Sequence, residues 1–244
     1  MNNEKQISLF YSIVSVLFSA VAITVLAFIF LHSAVFEPLP NIIPFSLATV
    51  IGVALTQWGH IAFYAHKNMD TRRLKEVLGL RTKLPLKQYL VWVPVLILIT
   101  GALFTITQPI SVLLQEYVFF WIPEWFIPSV GFSAYSESVV WLTYGCLFIC
   151  ASILVPISEE VFFRGFLLPR MEWMGKAALP VNLALFVCYH FWSPWMIVTR
   201  FIACFPLYYI MKKKNSLMLG IIIHCSVNFI SDVLGGVIVY LSSR

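Results

Sequence analysis

Apolar runs separated by short polar stretches divide the chain from end to end. The first runs from Ser8 to about Leu31, the second from about Ile43 to Ala65 and the third from about Tyr89 to Thr107. A fourth starts near Val139 and continues through Pro156 to about Leu168; a fifth covers about Ala177 to Phe191. The sixth goes from about Trp195 to Met211 and the last from Leu217 to Leu241. A crossing takes about 20 residues, and backbone groups in lipid must be satisfied within their own segment. The pattern therefore predicts an all-α polytopic transmembrane bundle of about seven spanning helices. Pro94, Pro156, Pro180 and Pro206 lie in or beside these runs, so kinked or interrupted segments are expected.

Composition sharpens this picture. Of the 244 residues 60% are hydrophobic and 11% charged, with mean hydropathy +0.89. A water-soluble domain carries roughly a quarter charged residues. One membrane domain, 1–244, is expected, with no soluble domain. The flank residues Glu4 and Lys5 and the length of the first apolar run argue against a cleavable leader. Cys146, Cys150, Cys188, Cys204 and Cys225 all fall inside apolar runs without metal-ligand spacing and read as small buried hydrophobes.

The net charge of +5 is not a nucleic-acid signal, because the basic residues sit in short clusters between apolar runs. Lys67, Arg72, Arg73, Lys75, Arg81, Lys83 and Lys87 separate the second and third runs. Arg170 and Lys176 separate the fourth and fifth, and Lys212, Lys213 and Lys214 the sixth and seventh. The alternate connections, from His32 to Asn41, from Pro109 to Glu137 and at Ser193–Pro194, hold no Lys or Arg. Seven crossings then place the N-terminus inside and the C-terminus outside. Trp121, Trp125, Phe119, Phe120 and Phe126 mark an aromatic interfacial segment on the outer side.

Ionisable groups inside membrane helices are costly and call for a partner or a task. They concentrate in the C-terminal half: Glu159, Glu160 and Arg164 in the fourth run, His190 in the fifth, and His224, Asn228 and Asp232 in the last. Glu160 and Arg164 are spaced to pair on one helix face, leaving Glu159 rotated about 100° away. His224, Asn228 and Asp232 form a column four residues apart. Counted from Arg170, Lys176 and Lys214, taken as anchors outside the hydrocarbon, Glu159, His190 and His224 lie about 15–21 Å in. Three helices thus carry them to a common level.

With no Ser or Cys nucleophile among them, these groups suit water-dependent peptide hydrolysis. A carboxylate in low dielectric can take a proton from water; one imidazole can orient that water, and a second with an amide can meet the oxyanion. The rival chemistry is zinc held by Glu159, His190 and His224, although no HExxH motif is present.

The set Glu159-Glu160-x-x-x-Arg164 continuing to Gly165, then Phe186-x-x-x-His190, then His224-x-x-x-Asn228 resembles the three motifs of the CAAX prenyl endopeptidase and bacteriocin-processing (CPBP, or Abi) family of intramembrane proteases. The resemblance covers about Val139 to Asn228, the expected catalytic core, 139–228. It implies Glu159 as general base, His190 holding and activating water, and His224 and Asn228 forming the oxyanion site. Glu160, Arg164 and Phe186 would be structural support. The family is often labelled metalloprotease; the metal-free reading is preferred because all four groups are assigned without an ion, so no cofactor is expected and zinc is the alternative.

The implied function is an endopeptidase; the expected location is a bacterial plasma membrane, multi-pass, with the N-terminus cytoplasmic from the distribution of basic residues. It would act on membrane-associated proteins or peptides, of CAAX type or bacteriocin and pheromone precursors, with the lipid bilayer as its other partner and no nucleic acid. The alternatives are a non-catalytic bacteriocin-immunity or regulatory protein and a proton-coupled transporter. Arg200 reads as an ion-pair partner of Asp232 or Glu160, or more sharply as a contact for a substrate carboxylate. Gln57, Trp58 and His60 read as polar contacts inside the bundle, His32 and His66 as interfacial, and Gly235-Gly236 as a point of close helix approach.

Overall fold

The computed structural model describes residues 6–69, 73–80, 82–123, 127, 132 and 135–242. Glu4, Lys5, Arg72, Arg81, Trp125 and Phe126, and the side chain of Lys75, lie outside the described residues. The helices are α1 (Leu9–Leu31), α2 (Ile42–Met69), α3 (Leu86–Tyr117), α4 (Glu137–Arg170), α5 (Ala178–Cys188), α6 (Pro194–Lys213) and α7 (Leu217–Ser242). No strand occurs among the described residues.

Each apolar run becomes one helix, but among the described residues six rather than seven are long and apolar enough to cross a membrane. The exception is α5, whose 11 residues extend only about 16 Å. The chain then turns at Tyr189–Ser193 and returns through α6, so α5 and α6 form a hairpin with its apex inside the protein. Non-helical backbone at membrane depth is tolerated where it is buried or lines a cavity, and His190 and Trp192 in this turn do line one. Because a hairpin returns to its own side whatever its depth, the order of ends is unaffected. Helix α3 is longer than its run, reaching Tyr117 through Pro109.

Large apolar side chains such as Phe10, Phe18, Leu55, Leu98, Ile106 and Val239 point outward. Together with six helices long and apolar enough to cross, among the described residues, this makes the chain a multi-pass membrane protein. Inside, close approach relies on small residues. Ser12, Ser15, Ser19, Ala20 and Ala27 form the buried face of α1, Ser19 Oγ lies 2.7 Å from Thr56 Oγ1, and a Cβ on Gly52 would sit 3.2 Å from the Ile23 backbone. The α3–α6 contact is tied by Ser111 donating to Thr199 Oγ1 at 2.7 Å and Thr199 donating to the Thr107 carbonyl at 2.9 Å.

The basic connections gather at one end. Ile7 N–H donates to the Arg170 carbonyl, Gly79 N–H to Gly165 and Leu217 N–H to Leu80. Arg170, read from sequence as an anchor in the headgroups, is instead fully buried. Its guanidinium donates to the Phe166 and Val77 carbonyls and lies over the Tyr64 and Phe166 rings. It is a clamp that holds the segment after α2 against α4.

Candidate active site

Helix α4 sets the site. Pro156 has no N–H to give to the preceding turn, and the helix widens into π-type turns at Leu147–Leu154 and Glu160–Leu167, on either side of the α-helical turn Val155–Glu159, so the change falls between the two glutamates. Such widening turns side chains away from a regular helical face and recurs at functional sites. Glu159 and Glu160 are both buried, 2% and 0% exposed, and face different partners.

One oxygen of Glu160 gathers the polar contacts. Tyr208 O–H donates to its Oε1 at 2.9 Å, His224 Nδ1 lies 2.8 Å from the same oxygen, and Arg164 Nη1 is 3.5 Å away. The Arg164 guanidinium sits between two rings, 3.5 Å from the Tyr208 centroid and 4.0 Å from that of Phe186. Phe186 also meets His190 and His224 edge-on. The expected Glu160–Arg164 pair is present, and the support layer is larger than the pair. Glycine permits its closeness: a Cβ at Gly220 would lie 3.0 Å from Glu160 Oε2.

Glu159 faces the two imidazoles. Its Oε1 is 3.8 Å from His190 Nε2 and its Oε2 is 3.8 Å from His224 Nε2. These separations are too long for direct hydrogen bonds. They match two groups sharing one water in a bent bridge, since two bonds of about 2.8 Å at about 85° span that distance. His190 Nδ1 donates to the Phe186 carbonyl at 2.8 Å, because a carbonyl can only accept, so the Nε2 lone pair of neutral His190 is directed at Glu159. His224 donates Nδ1–H to Glu160.

The donor set can be tested for zinc. Tetrahedral ligands at about 2.0–2.1 Å from a zinc ion are about 3.4 Å apart. Both separations here are longer, and the two Glu159 oxygens face different histidines. No group of three His, Cys, Asp or Glu side chains placed to hold a metal ion occurs among the described residues.

These side chains open onto a cavity of about 800 Å³ whose walls include Glu159, Phe186, His190, Arg200, His224, Asn228 and Asp232. Asn228 Nδ2 donates to the Ala151 carbonyl at 2.9 Å, which fixes the amide and leaves its second N–H. Arg200 does not form the expected ion pair within 4 Å. Its Nη2 donates to Ser193 Oγ at 3.0 Å, and its Nη1 is enclosed without an acceptor. Asp232 is exposed and takes the Ser231 hydroxyl. Outside the cavity, His60 pairs with Tyr11 at 2.8 Å as a polar contact inside the bundle requires; at the cavity wall, a Cβ on Gly236 would lie 2.9 Å from Tyr144, as a close helix approach requires.

Sequence reasoning passed over Tyr208 and Tyr189. Tyr208 lies eight residues after Arg200 and so shares its helix face, a periodicity that could have identified it. Tyr189 adjoins His190, but only the tertiary fold shows that it is completely buried beside Glu159.

Residues 141–230 match the family model described as Type II CAAX prenyl endopeptidase Rce1-like. That stretch contains all three motifs and bears out the resemblance drawn from them. Among curated proteins, the UPF0177 protein YxdF of Lactococcus lactis subsp. lactis (strain IL1403) is 30% identical over 76 residues, 31% of this chain. The chain spans 42% of that relative's length. No solved structure matches the chain.

Proposed function

We propose that this chain, which carries an Rce1-like endopeptidase segment at residues 141–230, is an intramembrane endopeptidase that hydrolyses peptide bonds with a water activated by Glu159. The observation that carries the reading is the meeting of Glu159 with His190 and His224, each at 3.8 Å, in the wall of one cavity.

Glu159 takes a proton from a water held against the His190 Nε2 lone pair, and the resulting hydroxide adds to the scissile carbonyl carbon. The oxyanion is met by the second Asn228 N–H and by His224 Nε2–H when that ring is doubly protonated; Glu160 accepts from its other nitrogen. Glu159 then returns its proton to the leaving nitrogen as the C–N bond breaks. The products are one new carboxyl terminus and one new amine. The spacing of the donors supports the metal-free form.

The substrates are membrane-associated proteins or peptides, of CAAX type or bacteriocin and pheromone precursors. Arg200, with an enclosed and unpartnered Nη1 in the cavity wall, contacts a substrate carboxylate. The protein resides in a bacterial plasma membrane with the basic end and the N-terminus cytoplasmic; the gathering of basic connections at one end supports this orientation.

Membrane proteomics of cells carrying the wild type or Glu159→Gln tests the reaction. New termini confined to the wild type are expected. Identical termini, or full biological activity of Glu159→Gln, would replace the enzyme with a binding protein.

A further inference from the structure

Next to Glu159, and outside the wall of the cavity, lie two buried polar side chains to which the three motifs assign nothing, Gln57 and Tyr189. Gln57 is 0% exposed, and neither its amide nitrogen nor its amide oxygen has a hydrogen-bond partner. The Tyr189 hydroxyl and Glu159 Oε1 are enclosed in the same way. Tyr189 lies within interaction reach of both Gln57 and Glu159. Leaving three such groups unpaired in a low-dielectric interior would cost several kcal/mol, whereas joining them gives the Gln57 amide nitrogen, the Tyr189 hydroxyl and Glu159 Oε1 each a partner.

The local structure aims them together. Helix α2 widens into a π-type turn at Ala54–Trp58, at Gln57 itself. Trp58 Nε1 donates to Ser158 Oγ at 2.9 Å, which pins that turn to α4 one residue before Glu159. Tyr189 caps α5 in the same turn as His190 and is held by edge-on contacts with Phe163 and Trp192. Glu159 and His190 line the cavity, while Gln57 and Tyr189 are absent from its wall.

We propose that Gln57 and Tyr189 are positioning residues for the general base, forming a hydrogen-bonded chain from the Gln57 amide through the Tyr189 hydroxyl to Glu159 Oε1. The hydroxyl donates to the carboxylate and accepts from the amide; a small side-chain rotation or one bridging water completes each bond. The chain fixes the orientation of the carboxylate, so that it faces the cavity in the geometry that proton abstraction requires. It also makes the N-terminal helices part of the reaction centre, because Gln57 lies outside the 141–230 segment. This inference rests on the hydrolase reading.

The test uses an internally quenched peptide built on a Glu159-dependent cleavage site, with full-length protein in proteoliposomes. Tyr189→Phe keeps the ring and removes the hydroxyl. It is expected to lower kcat about 10- to 100-fold, the effect of one hydrogen bond to a charged group, with KM unchanged. Gln57→Leu should act in the same direction, and the double variant should be no slower than the slower single variant, as expected for one chain. Infrared difference spectra against Glu159→Gln isolate the Glu159 carboxyl band, and Tyr189→Phe should shift it whether or not a substrate is in hand. An unmoved band, a wild-type kcat in Tyr189→Phe, or effects that add in the double variant would overturn the inference, while an inactive Glu159→Gln would leave the hydrolase reading standing. Activity in Glu159→Gln would instead remove the hydrolase reading and the inference with it.

Discussion

The two adjacent glutamates should respond in opposite ways to the same isosteric change. Glu160 is the counter-charge of a guanidinium that is 0% exposed, and it also receives Tyr208 and His224. In Glu160→Gln the shape is kept but Arg164 becomes a buried cation without a counter-ion. Breaking a buried pair in this way costs about 3–5 kcal/mol. The Phe186 and Tyr208 rings still flank the guanidinium, which places the expected loss near the lower figure, about 3 kcal/mol. For a chain of this size that corresponds to a fall of about 6–12 °C in thermal midpoint. Activity should fall too, by about a hundredfold or more, because an imidazole loses the carboxylate that orients it. Glu159→Gln keeps the shape of a carboxylate whose nearest basic groups, the two imidazoles, lie at 3.8 Å, and it leaves no buried guanidinium without its counter-ion. Its thermal midpoint should equal or exceed that of the wild type, with no turnover. Differential scanning fluorimetry in detergent and a cleavage assay on both variants measure the contrast. Equal destabilisation by the two changes, or an unchanged midpoint in Glu160→Gln, would refute this division of roles.

Three further outcomes follow from the geometry. Gly220→Ala brings a Cβ within 3.0 Å of Glu160 Oε2 and into the Met211 side chain; it should cost about 1–3 kcal/mol by overpacking, read as a lower midpoint, and displace α7 with a loss of activity. Arg200→Gln should raise KM for peptides bearing a carboxylate near the cleavage site and leave KM for the matching amides unchanged; equal effects on both would remove Arg200 from the substrate site. Incubation with a strong chelator should leave cleavage unaltered, whereas loss restored by zinc would favour metal chemistry at Glu159, His190 and His224.

The bundle was legible because lipid imposes a blunt rule: every apolar run long enough to cross appears as a helix, and the helix ends differ from the runs by a few residues except in α3. The shortness of α5 was not legible. Phe191 and Trp195 continue the apolar character through the turn, so hydrophobicity alone could not separate a full crossing from a hairpin apex. In the site, spacing correctly separated Glu159 from the Glu160–Arg164 pair and put His224 and Asn228 on one face. It could not show that Glu160 also holds His224, since that contact joins residues 64 apart in sequence. Arg170 misled for a related reason. A basic residue after an apolar run looks like a headgroup anchor, and only the folded segment 73–80 supplies the carbonyl that buries it. Gln57 looked like an ordinary polar contact until its burial and lack of partners were evident.

The most direct test of the reaction is isotopic. Purified protein in proteoliposomes is incubated in ¹⁸O-water with membrane peptides extracted from cells that carry Glu159→Gln, and the products are read by mass spectrometry. New carboxyl termini bearing one ¹⁸O are expected with the wild type and are expected to be absent with Glu159→Gln. Label that appears equally with both proteins, or peptides left intact by both, would contradict a water activated by Glu159.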